Sequence, residues 1–363
     1  MATSSAPRSR SHKGRDWANV DDGPAGLIAE RVLSNDVVDL VRFRAVCRPW
    51  RACSAHMLAQ GVLDRRFHPR RWIMLPDTFN DVHHRRCFMN VFTGELIYPS
   101  TLPKHGSCHV LGNTSEGLVV LIRKDSDVVQ LLNPMTGQVT DLPPATKLLS
   151  DEYRTFVHDN DLRGAGVTKD STVVLCFESF SLAVAKPGDK CWTRVHSRDR
   201  IASMVSFAGR IYCATKTHVS VVRTMENKRP QLVAVADHKL DTGDPSTLEL
   251  EDELYRGISQ ILLVDHDGEL ILCYRRHGEH VDHGSCKLYR VNLDTRNTVP
   301  LDTFNGHALF ISRRRTALVA SRVSPSINAD TVYACWPNLV AFDLLGGCSE
   351  PKFKEDDLVG NGE

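Results

Sequence analysis

The sequence has no apolar run approaching the roughly 18 residues needed to cross a bilayer, and Met1–Arg15 has no apolar stretch of the kind a secretory signal carries. It has no charge excess: 45 Lys and Arg face 44 Asp and Glu, so it lacks the strongly basic balance of a general nucleic-acid coat. Eleven cysteines include no Cys-x-x-Cys pair, and their odd number in a long chain does not fit a disulfide scaffold. Most sit in apolar runs such as Val174-Leu175-Cys176-Phe177, where a reduced thiol acts as a small hydrophobe. HExxH, GxSxG and Walker A signatures are missing. Gly164-Ala165-Gly166 fails as a dinucleotide loop, because Lys169 stands where a third glycine belongs. These absences lead us to expect a soluble intracellular protein in a reducing compartment, cytoplasmic and/or nuclear, with no membrane or nucleic-acid partner.

The 42% apolar and 25% charged residues are ordinary for a globular chain, and 363 residues suggest two domains or one large β architecture. Charge is uneven within that neutral total: residues 1–72 carry a net +6 and the remainder a net −5. The amino-terminal part is therefore suited to a more acidic partner than the rest.

The texture divides the chain into a basic tail (1–16), a helical segment (17–57), a linker (58–71), a β-rich domain (72–348) and an acidic tail (349–363). In the helical segment Asp22 can cap and Pro24 can occupy a first turn, where its missing N–H costs nothing. Leu27, Ile28, Val32 and Leu33 then fall on one side of a short helix. Asp36 is a second N-cap, followed by Val37, Val38, Leu40 and Val41. A third helix begins near Val46 and carries Pro49 and Trp50. About 40 residues rarely fold on a hydrophobic core alone, so these apolar faces are expected to continue onto another surface, either the following domain or a separate protein.

From Trp72 onward short apolar runs recur between Gly, Pro, Asn and Asp, including 117–122, 128–132, 172–177, 210–214, 260–264 and 269–274. No convincing amphipathic helix interrupts them, so the domain reads as mainly β without βα alternation. A loose grammar repeats. Phe207-Ala-Gly-Arg, Asp267-Gly-Glu and Phe304-Asn-Gly-His each put a Gly turn before a strand, while Leu132-Asn-Pro-Met-Thr-Gly137 and Val291-Asn-Leu-Asp-Thr295 join strands through polar turns. At about 40–50 residues per four-stranded sheet, 72–348 accommodates a β-propeller of about six blades; a β-sandwich is the alternative.

Three clusters could carry chemistry. Cys273, His277, His280, His283 and Cys286 offer zinc-type ligands, but their spacing matches no standard finger, and the segment reads more simply as a hairpin between two strands. Arg313-Arg314-Arg315 and His83-His84-Arg85-Arg86 read as solvated loops. No catalytic residue, metal or cofactor is assigned.

Two resemblances cover nearly the whole chain. Trp17–Ser54, ending in Phe43-Arg-Ala-Val-Cys-Arg-Pro-Trp-Arg51, resembles an F-box of the plant type, with Gly23-Pro24 where that family usually shows Leu-Pro. Leu131-Leu-Asn-Pro-Met-Thr-Gly137 with Leu142-Pro-Pro144, then Pro187-Gly-Asp-Lys-Cys-Trp192, Phe207–Tyr212 and Gly306–Ile311, resemble the KIB-type β-propeller. The resemblance implies a three-helix F-box followed by a propeller. It implies a non-catalytic substrate receptor of a Skp–cullin–F-box ubiquitin ligase, whose helices dock on a Skp-type adaptor and, through it, a cullin. The propeller would hold an unknown target protein. Candidate adaptor contacts are Pro24, Leu27, Ile28, Val32, Leu33, Val41, Val46 and Trp50. Two other readings stay open: a non-ligase interaction scaffold with a degenerate F-box, and an enzyme with its site in the propeller channel.

Overall fold

The computed structural model describes residues 22–54, 61–75, 86–102, 107–147, 162–177, 182–197, 199–224, 228–238, 259–276, 285–311, 316–335, 339–343 and 347–348. The expected tails 1–16 and 349–363, Trp17, His83–Arg85, the His277–His283 cluster and Arg313–Arg315 lie outside the described residues. The chain divides into two units, residues 1–60 and 61–363.

The first unit holds α1 (Asp22–Asn35), α2 (Val37–Val46) and α3 (Arg48–Cys53). Pro24 sits in the first turn of α1, and Asp36 caps α2 by accepting from the Val38 amide at 2.7 Å. Cys47 is extended between α2 and α3, and Pro49 stands at the start of α3, where no amide is needed. The buried face of α1 differs from the expectation: it is Ala25, Ala29 and Leu33, spaced by four, against Val37, Val38, Leu40 and Phe43 of α2 among the buried residues. Alanines let helices approach closely, and their small side chains carry little signal in a hydrophobicity pattern. None of the described helices is long and apolar enough to cross a membrane.

The second unit is a six-bladed β-propeller. Its sheets are β1 (Trp72–Met74), β2 (Phe88–Asn90) and β3 (Leu96–Ile97); then β4 (Cys108–Asn113), β5 (Val119–Arg123), β6 (Val128–Leu132) and β7 (Val139–Pro144). The third comprises β8 (Leu162–Val167), β9 (Val173–Phe177), β10 (Leu182–Ala185) and β11 (Thr193–Val195). The fourth comprises β12 (Ser203–Phe207), β13 (Arg210–Ala214), β14 (His218–Arg223) and β15 (Gln231–Asp237). The fifth comprises β16 (Ser259–His266), β17 (Glu269–Arg276), β18 (Ser285–Asn292) and β19 (Asn297–Pro300). The sixth contains β20 (His307–Ile311), β21 (Thr316–Ala320), β22 (Thr331–Cys335), β23 (Leu339–Asp343) and β24 (Gly347–Cys348), with β20 and β22 parallel and the other pairs antiparallel.

The first strands β4, β8, β12 and β16 pack in succession, and β16 continues to β21. Between adjacent sheets lie separate apolar clusters, so the core is a series of wedges rather than one centre. The second strands supply both sides. Along β9, Val173, Leu175 and Phe177 enter the wedge toward the second sheet, while Val174 and Cys176 enter the one toward the fourth. Along β17, Leu270, Leu272 and Tyr274 alternate in the same way with Ile271 and Cys273. Strands buried on both faces read as continuous apolar runs, which is why these were legible.

The turns follow from local chemistry. Ala208-Gly209 and Asp267-Gly268, which join β12 to β13 and β16 to β17, have positive φ at both positions, as the tight turns of twisted hairpins require, and Asn305-Gly306 ahead of β20 has the same conformation. A second turn recurs three times: the side-chain oxygens of Asn90, Asn133 and Asn292 each accept from the amides two and three residues on. The copy at Asn90 was not anticipated.

Residues 61–71, expected as part of a linker, fold with the propeller. Val62 joins the wedge between the second and third sheets, and Phe67 and His68 are buried. The charged residues around them had masked those apolar anchors.

Candidate docking surfaces and the propeller face

In the helical unit the closing motif ties α2 to α3. Phe43 and Trp50 stack at 4.5 Å between ring centroids. The Arg44 guanidinium donates to the Arg51 carbonyl at 3.1 Å and to Ser54 Oγ at 2.9 Å, and Arg51 Nε donates to the Arg44 carbonyl at 3.1 Å. Ser54 Oγ in turn donates to the Trp50 carbonyl at 3.0 Å. These bonds hold the two helices around the extended Cys47 and complete helix ends that would otherwise lack partners.

The candidate contacts separate into three groups. Leu27 and Val46 are 69% and 62% exposed, Ile28 and Val41 are each 39% exposed, and Pro24 is exposed. Val32 and Trp50 are half-buried, with Trp50 engaged by Phe43. Leu33 is only 6% exposed; it faces inward beside Ala29 rather than outward as expected. Pro24, Leu27 and Ile28 are spaced i, i+3, i+4 and so share one side of α1. Gly23 is exposed, with open space where a side chain would stand. So the unit presents large apolar side chains to solvent while spending Ala25, Ala29 and Leu33 on its own interior.

In the propeller, residues 61–71 meet the turns that follow β4 and β12. Phe67 O accepts from the buried Asn133 Nδ2 at 2.8 Å. The Pro69 carbonyl lies where a side chain at Gly117 would point, and Arg65 abuts Gly209. Asp64 caps the turn by accepting from the Arg66 amide and pairs with the Arg66 guanidinium at 2.7 Å. Arg71 covers the Phe92 ring at 5.2 Å, and Phe92 meets His307 edge-on at 6.0 Å. One short segment therefore reaches loops of the first, second and fourth sheets.

Of the Cys273–Cys286 stretch, the two cysteines lie among the described residues and the three histidines do not. Cys273 is buried in the wedge between the fifth and sixth sheets, 3.5 Å from Cys286 Sγ, and the hydrogen bond with that neighbour, followed by burial, pushes its thiol pKa up. Both cysteines lie on paired strands, β17 and β18, as the hairpin reading expects. Cys47, Cys53, Cys87, Cys108, Cys176, Cys191, Cys213, Cys273 and Cys286 are free thiols. Among the described residues, a different group brings metal-ligand types together: His266, Asp267 and His307. In the sequence Asp267 and His307 stand only as turn residues, and the 39 positions between them give no spacing signal.

Comparison with known proteins identifies the β domain. The family model of the KIB1-4 β-propeller matches residues 88–359. An F-box/kelch-repeat protein of Arabidopsis thaliana is 22% identical over 312 residues, covering 80% of this chain and 73% of its own. Virginiamycin B lyase from Staphylococcus aureus shares 9% identity at a TM-score of 0.35, covering 75% of this chain and 88% of the lyase. YCF48 from Cyanidioschyzon merolae shares 10% at a TM-score of 0.35, over 64% of this chain and 76% of its own. Three amino-terminal helices fit a small F-box helical region ahead of six blades, and with three quarters of its length matched, the chain belongs to the KIB1-4 β-propeller family.

Proposed function

We propose that the protein is a substrate-receptor subunit of a Skp–cullin–F-box ubiquitin ligase, its helical unit docking on a Skp-type adaptor and its propeller presenting a target. The observation that carries this reading is the set Leu27, Ile28, Val41 and Val46. Four large apolar side chains stand in water on a unit of three short helices, a concentration that a stable free surface rarely keeps. The net +6 of residues 1–72 supports an acidic partner by steering encounter. The relative's printed name, F-box/kelch-repeat protein, supports the same class. In this role the chain performs no bond chemistry; it contributes proximity between target and transfer machinery.

The test is a pulldown of the full chain with a Skp-type adaptor. Leu27→Asp/Val46→Asp should abolish recovery while leaving the circular dichroism spectrum unchanged, because both sites are exposed. Equal recovery of variant and wild type removes the adaptor claim, and an intact fold with no recovery of either favours a non-ligase scaffold. Gly23→Leu, which restores apolar surface at an open position, should increase recovery.

A further inference from the structure

We propose that His266, Asp267 and His307 form a site for a divalent transition-metal ion, zinc by preference, that bridges the fifth and sixth sheets. One ring nitrogen from each histidine and one carboxylate oxygen lie within 4.8 Å of one another. His266 ends β16, Asp267 occupies the tight turn into β17, and His307 begins β20. Two different blades thus deliver the three groups.

His266 gives the independent sign of a ligand. The residue is only 4% exposed, and its buried Nε2 has no hydrogen-bond partner. A buried imidazole nitrogen left unpaired is costly, and here it faces the Asp267 carboxylate at 3.9 Å. The His266 ring is held edge-on by Phe304 at 5.9 Å and His307 at 5.1 Å.

His307 is prepared in a complementary way. Its Nδ1 lies 3.2 Å from the Phe304 carbonyl, which can only accept, so this contact favours the tautomer that carries its proton on Nδ1 and offers Nε2 as the ligating atom. A backbone carbonyl fixing a histidine tautomer is a common support for metal ligation. Phe304 therefore positions both histidines, one with its ring and one with its carbonyl.

The donor set selects the ion. Two imidazoles and one carboxylate suit zinc and its first-row neighbours, whereas calcium and magnesium prefer all-oxygen shells. Tetrahedral bonds of about 2.0–2.1 Å place donors roughly 3.4 Å apart, a contraction that the exposed Asp267 side chain can supply. Its side chain is 64% exposed, which leaves the fourth position open to solvent or to a donor from a bound protein.

Equilibrium dialysis of the purified full chain against zinc, read by mass spectrometry of the metal, tests the site. One equivalent is expected at micromolar zinc, with a raised melting temperature that magnesium and calcium do not reproduce. Asp267→Asn keeps a residue suited to the left-handed turn while removing the charge, and combined with His307→Gln it should weaken binding at least tenfold with the metal-free melting temperature little changed. His277→Ser/His280→Ser/His283→Ser should retain the equivalent. No zinc bound by the wild-type chain, undiminished binding by the Asp267/His307 variant, or loss only in the His277/His280/His283 variant overturns the proposal.

Discussion

Arg44 and Arg51 hold each other's main chain: each guanidinium donates to the other's carbonyl oxygen at 3.1 Å. The arrangement gives a physical reason for two arginines seven residues apart around an aromatic and a proline. Without them the end of α2 and the last turn of α3 would leave carbonyls to water.

Arg44→Ala removes donors to both the Arg51 carbonyl and Ser54, and we expect a loss of about 1–2 kcal/mol local to the helical unit. Hydrogen exchange should show faster amides in α2 and α3 with unchanged protection in β9 and β17. Equal acceleration in both units would contradict this local role.

Two glycines separate conformational cost from collision. Gly117 and Gly268 both have positive φ, at +86° and +81°, but only Gly117 faces backbone, the Pro69 carbonyl. Gly268→Ala should cost about 1 kcal/mol for the turn alone. Gly117→Ala should cost roughly 3 kcal/mol or more, because the 61–71 segment must shift. Denaturant midpoints of the two variants decide it, and similar values would mean the segment yields freely.

Acid should weaken the fold through two histidines. Burial, reinforced by Arg70, pulls His68 down to about 4. Burial also lowers His238 to about 4 despite its bond to the Thr215 carbonyl at 3.0 Å. Their unfolded counterparts titrate near 6.5, so between pH 6.5 and 4 the unfolded chain binds more protons and stability falls as pH falls. Each contributes on the order of 2–3 kcal/mol above pH 6.5, lost by pH 4. His68→Gln and His238→Gln should each flatten the stability profile across that window, and a profile unchanged in both would refute the assignment.

Leu175 is fully buried between the second and third sheets, whereas Val299 is 38% exposed. Leu175→Ala should cost about 2–5 kcal/mol and Val299→Ala less than about 0.5 kcal/mol by chemical denaturation.

The sequence revealed elements whose burial is written in consecutive residues. Val173–Phe177 and Glu269–Arg276 were readable as strands because both faces are covered. The positive-φ pairs Asp267-Gly268 and Asn305-Gly306 were readable as turns. The strand Leu162–Val167 was not, since Gly164 and Gly166 carry no apolar signal. They are small because a side chain there would meet Met204 and Ile211 of the neighbouring sheet. On α1 the pattern identified apolar residues but not which way they point, since Ala25 and Ala29 rather than Leu27 and Ile28 join Leu33 inside. The helical surface was therefore legible in composition and not in orientation. The 61–71 segment was hidden by its own charges, and His266 with His307 by distance along the chain.

The alternation along β9 has a consequence for how the ring tolerates change. Val174 and Leu175 are neighbours in the chain yet belong to different gaps, one serving the fourth sheet and the other the second. A substitution at an odd position and one at the next even position thus loosen opposite flanks of the same blade, and the mechanical independence of each seam is encoded in the parity of the residue number.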